Sequence, residues 1–142
     1  MASQFLLQST LTHLRPDYHF DNFGTMDRID AVITLAALAQ ETRLDIYRRL
    51  VEAGPDGLAA GRIAEAIGLP AATLSFHLSQ LRNARLIGSR RESRSIIYQA
   101  DYRRMNDLLI YLTYNCCQGR TEVCGPLVEA LAGCGAPEKA DA

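Results

Sequence analysis

The sequence has no tryptophan, few other aromatic residues and almost no net charge. Aromatic side chains make up 7% of its 142 residues, and 15 basic against 16 acidic side chains give a formal charge of −1. This balance excludes a protein that attracts polyanions with its whole surface. A hydrophobic content of 48% excludes a disordered chain, and the length is typical of one domain.

Long apolar runs are also missing. No stretch approaches the roughly 20 consecutive apolar residues that a membrane-spanning helix needs. Residues 1–20 lack the charged start, apolar block and cleavage site of a secretory signal. We therefore expect a soluble, cytoplasmic protein with no membrane partner.

Cysteine is absent from the first 115 residues and then occurs four times, at Cys116, Cys117, Cys124 and Cys134. A disulfide framework would connect distant parts of the chain, and this grouping near one end does not. The clustering predicts a metal or redox site.

Positive charge is concentrated in one segment of this nearly neutral chain. Residues 82–104 hold seven arginines against Glu92 and Asp101, a local charge of +5. A patch of this kind is typical of a surface that meets nucleic acid.

Hydrophobic periodicity predicts a mainly α fold with a small β-hairpin. Helices are expected over about 27–39, 42–51, 58–67 and 70–81, the second capped by Thr42 and the third ended by Gly68. The period then changes to two, which predicts strands over 87–91 and 95–98 joined by a basic tip. Asp101 is the expected N-cap of a last helix that reaches the cysteine pair and is broken at Gly119.

The chain is therefore divided into three parts. Residues 1–25 show no sustained period and are expected to form a flexible arm. Residues 26–118 are expected to form a winged helix-turn-helix domain with dimerisation helices at both ends, because Ile29, Val32 and Leu35, and Leu108, Leu109 and Leu112, exceed what a small core requires. Residues 119–142 are expected to form a metal-binding loop and tail.

Three motifs in fixed order resemble the ArsR/SmtB family of metal-responsive repressors. They are LAQETRL at 38–44, IAEAIGL at 63–69 and TLSFHLSQL at 73–81, followed by a wing-like segment at 86–98. The resemblance covers about residues 28–118. It implies a homodimer that binds double-stranded operator DNA, and it implies no enzymatic activity and no organic cofactor.

The expected DNA contacts come from the second helix of the helix-turn-helix and from the hairpin. A helix that enters the major groove needs short polar side chains in its first half, and arginines at a wing suit phosphates or the minor groove. The candidates are Thr73, Ser75, His77, Ser79, Gln80, Arg90, Arg91 and Arg94. Phe76 departs from the polar or basic residue that the family often has there.

The expected effector is trivalent arsenic or antimony, held by Cys116, Cys117 and Cys124. The helix over 58–67 has no cysteine, and the last helix has Asp101 and Asp107 but no histidine, so two metal sites known in the family are absent. The remaining cysteines resemble the arsenic-responsive branch, which uses a vicinal pair and a third thiol. Three soft thiolates suit a trivalent ion with a lone pair.

Other readings of the cysteines stay open. Zinc, cadmium or lead would prefer a fourth ligand, which Cys134 would supply. A thiol-redox regulator is a further alternative, and so is a protein that dimerises without binding DNA. A thiol or arsenical reductase is disfavoured, because no Cys-x-x-Cys motif and no glycine-rich nucleotide loop is present.

Overall fold

The computed structural model describes residues 26–118 and 120–133, so the expected arm at 1–25, Gly119 and Cys134 lie outside the described residues. Six α-helices and a three-stranded antiparallel sheet make up the described part. In chain order they are α1 (Arg28–Leu38), α2 (Glu41–Ala53), β1 (Leu58–Ala59), α3 (Ala60–Ile67), α4 (Ala71–Asn83), β2 (Ile87–Glu92), β3 (Ser95–Ala100), α5 (Tyr102–Thr113) and α6 (Thr121–Ala132).

The corner between α1 and α2 is built by Gln40 and Arg43. Gln40 is the N-cap of α2, and its side-chain oxygen accepts a hydrogen bond from the Arg43 amide at 2.8 Å. The cap predicted at Thr42 is therefore wrong, since Thr42 lies inside the first turn. The Arg43 guanidinium donates to the carbonyls of Ala36 and Ala37, which satisfies groups that the end of α1 leaves free.

Helices α3 and α4 form the helix-turn-helix. Gly68, at φ +74°, ends α3, and α4 starts after Pro70. The predicted start of α3 is wrong by two residues, because Leu58 and Ala59 form a short strand that pairs with β3.

The wing is an antiparallel hairpin, with strands in the order β1–β3–β2. β2 pairs with β3 from Ile87–Ala100 to Glu92–Ser95, which leaves a two-residue turn of Ser93 and Arg94. The fold class predicted from the sequence, mainly α with a small β-hairpin wing, is confirmed.

One hydrophobic cluster holds α2, α3, α4 and the base of the wing together. Its fully buried side chains are Ile46, Leu50, Ile63, Leu81 and Leu86. A second cluster packs α5 against the start of α1 through Met26, Ala31 and Leu108. Leu108 is therefore buried within one chain, which corrects its assignment to the dimer surface.

The end of α5 differs most from expectation. Asp101 is its N-cap as predicted, and accepts from the Arg104 amide at 3.0 Å. The helix ends at Thr113, before the cysteine pair, and residues 121–132 form α6 where a loop was expected. Asn115 and Gln118 adopt φ of +55° and +46°, a conformation that a right-handed helix cannot contain.

Candidate nucleic-acid interface and metal centre

α4 presents one buried face and one exposed face. Leu74, Leu78 and Leu81 are buried in the main cluster and fix the rotation of the helix. Thr73, Ser75 and Gln80 are exposed, and Ser79 is half-buried. Small and polar side chains therefore cover most of the exposed face, so another molecule can approach it closely.

His77 sits at the border between the two faces. Its side chain is half-buried, and its Nδ1 atom is buried without a hydrogen-bond partner among the described residues. Its ring meets the Phe76 ring edge-on, with centroids 5.7 Å apart and an interplanar angle of 69°. The large apolar side chain that α4 exposes is that of Phe76, which the set of residues predicted from sequence left out.

Two of the three candidate wing arginines are directed to solvent. Arg91 and Arg94 are exposed near the turn, where Ser93 has φ +52°. Among the described residues the side chain of Arg91 makes one hydrogen bond, which is long, 3.5 Å from Nε to the Ser93 carbonyl oxygen. Both guanidinium groups are therefore well placed for an anionic partner.

Arg90 is tied to its own chain. Its guanidinium donates to Glu92, to Gln99 and to the Asp56 carbonyl, each at 2.7 Å. These bonds connect both strands of the wing to the segment before β1. Arg90 is expected to hold the hairpin in place more than to contact a partner.

The cysteine pair lies in a folded connection between α5 and α6. The Cys116 amide donates to the Thr113 carbonyl at 3.0 Å, and the Arg120 amide donates to the Cys117 carbonyl at 2.7 Å. Asn115 and Gln118 in the same connection have positive φ. Cys124 is thereby returned to the pair from the first turn of α6.

The three thiols meet at this junction. The sulfur atoms of Cys116, Cys117 and Cys124 all lie within 4.8 Å of one another, and the Cys116 and Cys124 sulfurs are 2.9 Å apart. The hydrogen bond with Cys116, followed by that with Cys117, raises the pKa of Cys124 to about 12. Cys116 is exposed and the other two are half-buried, so small solutes can reach the cluster.

This donor set suits a soft ion with three ligands. Among the described residues the cluster contains three thiols and no histidine or carboxylate. Thiolates select thiophilic ions, whereas structural zinc sites almost always have four ligands in a tetrahedron. Cys134, the expected fourth ligand of a zinc site, lies outside the described residues.

α5 connects the thiol junction to α1. Arg104 on α5 donates to the Asp30 carboxylate on α1 at 3.0 Å, and this hydrogen bond lowers the pKa of Asp30. Both helices also expose apolar side chains. These are Ile29, Val32, Ile33 and Leu35 on α1, and Leu109 and Leu112 on α5.

Comparison with known proteins agrees with this arrangement. Residues 38–90 match a family model described as a helix-turn-helix domain. The nodulation protein NolR of Rhizobium meliloti is 33% identical over 96 residues, which is 68% of this chain and 71% of NolR. The HTH-type transcriptional regulator KmtR of Mycobacterium tuberculosis is 32% identical over 78 residues, 55% of this chain and 58% of KmtR.

A solved structure is similar in fold over a larger part of this chain. The ArsR-like transcriptional regulator from Rhodococcus sp. RHA1 matches with a TM-score of 0.53 at 23% identity, over 75% of this chain and 90% of that one. KmtR is named as a transcriptional regulator, and neither KmtR nor NolR is named as an enzyme, which supports a non-enzymatic role. Within residues 26–118 and 120–133, no helix is long and apolar enough to cross a membrane.

Proposed function

We propose that this chain, which belongs to the ArsR/SmtB family of DNA-binding winged-helix transcriptional regulators, is a homodimeric repressor that leaves its operator when trivalent arsenic or antimony binds its thiols. The observation that carries the arsenic assignment is the meeting of Cys116, Cys117 and Cys124 at the junction of α5 and α6. The proposal places the protein in the cytoplasm, together with its DNA.

The ligand chemistry supports a trivalent ion. Arsenous acid reacts with three thiols by forming three As–S bonds and releasing three molecules of water, and the lone pair of arsenic occupies the open side of the pyramid. The side chains that would hold it are Cys116, Cys117 and Cys124, all reachable from solvent. A fourth thiol is not required.

DNA binding is assigned to α4 and to the wing. Thr73, Ser75, His77, Ser79 and Gln80 are proposed to lie along the major groove, and Arg91 and Arg94 to contact phosphates, with Arg90 keeping the wing in position. In a symmetric dimer two such helices lie roughly 34 Å apart, one turn of DNA.

The dimer surface links the two sites. The exposed apolar residues of α1 and α5 are proposed to pack against the same residues of a second copy. Because α5 leads directly into the cysteine connection and is held to α1 by Leu108 and by the Arg104–Asp30 pair, a change at the thiols reaches this surface. We infer that binding at the thiols alters the spacing of the two α4 helices.

A DNA-release titration tests the proposal. The full chain is bound to a fluorescent duplex from the region upstream of its own gene and titrated with arsenite, antimonite, zinc and cadmium. We expect arsenite and antimonite to release the wild-type protein. Cys124→Ser is expected to bind the duplex normally and to ignore arsenite, while the matched control Cys134→Ser responds as wild type.

Other outcomes would contradict parts of the proposal. If zinc or cadmium releases the DNA at a lower concentration than arsenite does, and Cys134→Ser does not respond, the site is a four-thiol metal site and not a three-thiol arsenic site. A Cys124→Ser protein that arsenite still releases would remove the third thiol from the site.

The contact between Cys116 and Cys124 favours a second candidate, a redox-responsive repressor. Hydrogen peroxide would oxidise the two thiols to a disulfide and be reduced to two molecules of water. DNA release by peroxide that dithiothreitol reverses, combined with no response to arsenite, would favour this alternative.

A further inference from the structure

Phe76 is a large apolar side chain that points away from the protein. It is 59% exposed although it lies in the middle of α4. It follows buried Leu74 by two residues and precedes buried Leu78 by two, and at 3.6 residues per turn this places it about half a turn from the core face. The ring of Phe76 is therefore not part of the hydrophobic core.

The surroundings of Phe76 make the ring project from the helix. One turn before it are Ala72 and Thr73, and one turn after it are Ser79 and Gln80, all smaller or polar. The edge-on contact with His77, itself half-buried, limits the orientations of the ring. Phe76 is therefore a fixed apolar projection on a polar face.

The proposed dimer surface does not use this ring. The buried face of α4 packs against α1, α2 and α3, and Phe76 lies on the opposite side of the helix. The exposed apolar residues of α1 and α5 belong to different elements. The second helix of a helix-turn-helix lies in the major groove, so double-stranded DNA is the partner proposed for the outer face of α4.

We propose that Phe76 reads sequence by packing against the 5-methyl group of a thymine in the major groove. The inference rests on DNA binding by α4, not on the identity of the inducer. The thymine methyl is the apolar group that base pairs display in this groove, where the other features are hydrogen-bond donors and acceptors. A phenyl ring placed over a polar base edge would remove water from it and offer no hydrogen bond in return, so other bases are disfavoured.

The test combines two changes. Single methyl groups are removed from the DNA, and the aromatic ring is removed from the protein by Phe76→Ala. High-affinity duplexes are selected from a random library with the full wild-type chain. Each thymine of the best duplex is then replaced singly by deoxyuridine, which keeps the base pairing and lacks only the methyl group.

The expected result is a coupling between one thymine in each half-site and Phe76. Replacing that thymine by deoxyuridine should weaken wild-type binding about three- to fivefold, the amount expected for one buried methyl group. The same replacement should leave the affinity of Phe76→Ala unchanged. Asn83→Ala, at an exposed position two turns further along the same face of α4, is the matched control and should keep the full sensitivity to the methyl group.

Three results would overturn the inference. The first is that no deoxyuridine replacement changes the affinity of the wild-type protein. The second is that the replacement lowers the affinity of the wild type and of Phe76→Ala equally. The third is that Phe76→Ala loses thermal stability together with its affinity for DNA. Failure to select any duplex would overturn both this inference and DNA binding. Titration of the same complexes with arsenite tests the inducer separately. If arsenite does not release the DNA, the arsenic assignment is wrong but the thymine contact is not contradicted.

Discussion

Replacing Gly57 by alanine should loosen the wing from the helical core. Gly57 precedes β1 and has φ +69° and ψ −168°. A Cβ atom there would overlap the carbonyl oxygen of Tyr98 and lie 3.2 Å from Cβ of Gln99. Because Tyr98 pairs with Leu58, the overlap falls on the short strand pair that joins the wing to the helix-turn-helix.

Gly54 provides a matched control for the backbone strain. Its φ of +72° and ψ of −163° are nearly the same, but a Cβ there has nothing within 4 Å. A side chain in this backbone region costs about 1–3 kcal/mol at either position. The overlap at Gly57 should add about 1–3 kcal/mol, the usual cost of forcing atoms into a packed site.

Urea unfolding of both variants measures the difference directly. We expect Gly57→Ala to lose about 1–3 kcal/mol more of the free energy of unfolding than Gly54→Ala. Its affinity for DNA should also fall under conditions where it remains folded, because Arg91 and Arg94 move with the hairpin. Equal losses in the two variants, or a folded Gly57→Ala with full DNA affinity, would refute the idea that this contact positions the wing.

Three further predictions concern the wing, the core and the thiols. Arg91→Ala with Arg94→Ala should weaken binding to all duplexes and reduce the slope of log affinity against log salt by roughly one per lost phosphate contact; Arg48→Ala, an exposed arginine on α2, should not. Burial raises the pKa of Tyr47 to about 12, so the free energy of unfolding should fall above pH 10 by up to about 1.4 kcal/mol per pH unit as the unfolded chain ionises. Tyr47→Phe should lack this alkaline loss in urea titrations at pH 8 and pH 11, and an unchanged pH profile would contradict the assignment. Since the pKa of Cys124 is raised to about 12, its thiol must lose a proton when cadmium binds, so calorimetry in buffers of different ionisation enthalpy should show that cadmium releases more protons from the wild type than from Cys124→Ser; equal proton release by the two proteins would contradict a role of Cys124 as a ligand.

Local signals in the sequence were sufficient for the helix-turn-helix and the hairpin. The leucines of α4 repeat at helical spacing, Gly68 ends α3, and the alternating residues after Leu86 form the wing. Asp101 was recognisable as an N-cap because its bond to Arg104 spans three residues. Such features depend on neighbours in the chain, which a sequence displays directly.

Contacts between distant residues could not be recognised in this way. Leu58 and Ala59 have helix-compatible neighbours, yet they form β1 because β3 lies beside them. Leu108 has the spacing of an interface residue, yet the start of α1 covers it. Arg90 looks equivalent to Arg91 until its bond to the Asp56 carbonyl is seen.

The thiol cluster also depends partly on sequence and partly on tertiary structure. The number and types of its candidate ligands followed from the sequence, because cysteines grouped at one end are a matter of composition. Their meeting depends on two left-handed residues and on a helix, α6, that returns Cys124 to the pair. Composition and periodicity thus determined which elements and donors this chain contains, whereas tertiary packing decided which side chains remain free to act, since burial and pairing depend on residues far apart in sequence.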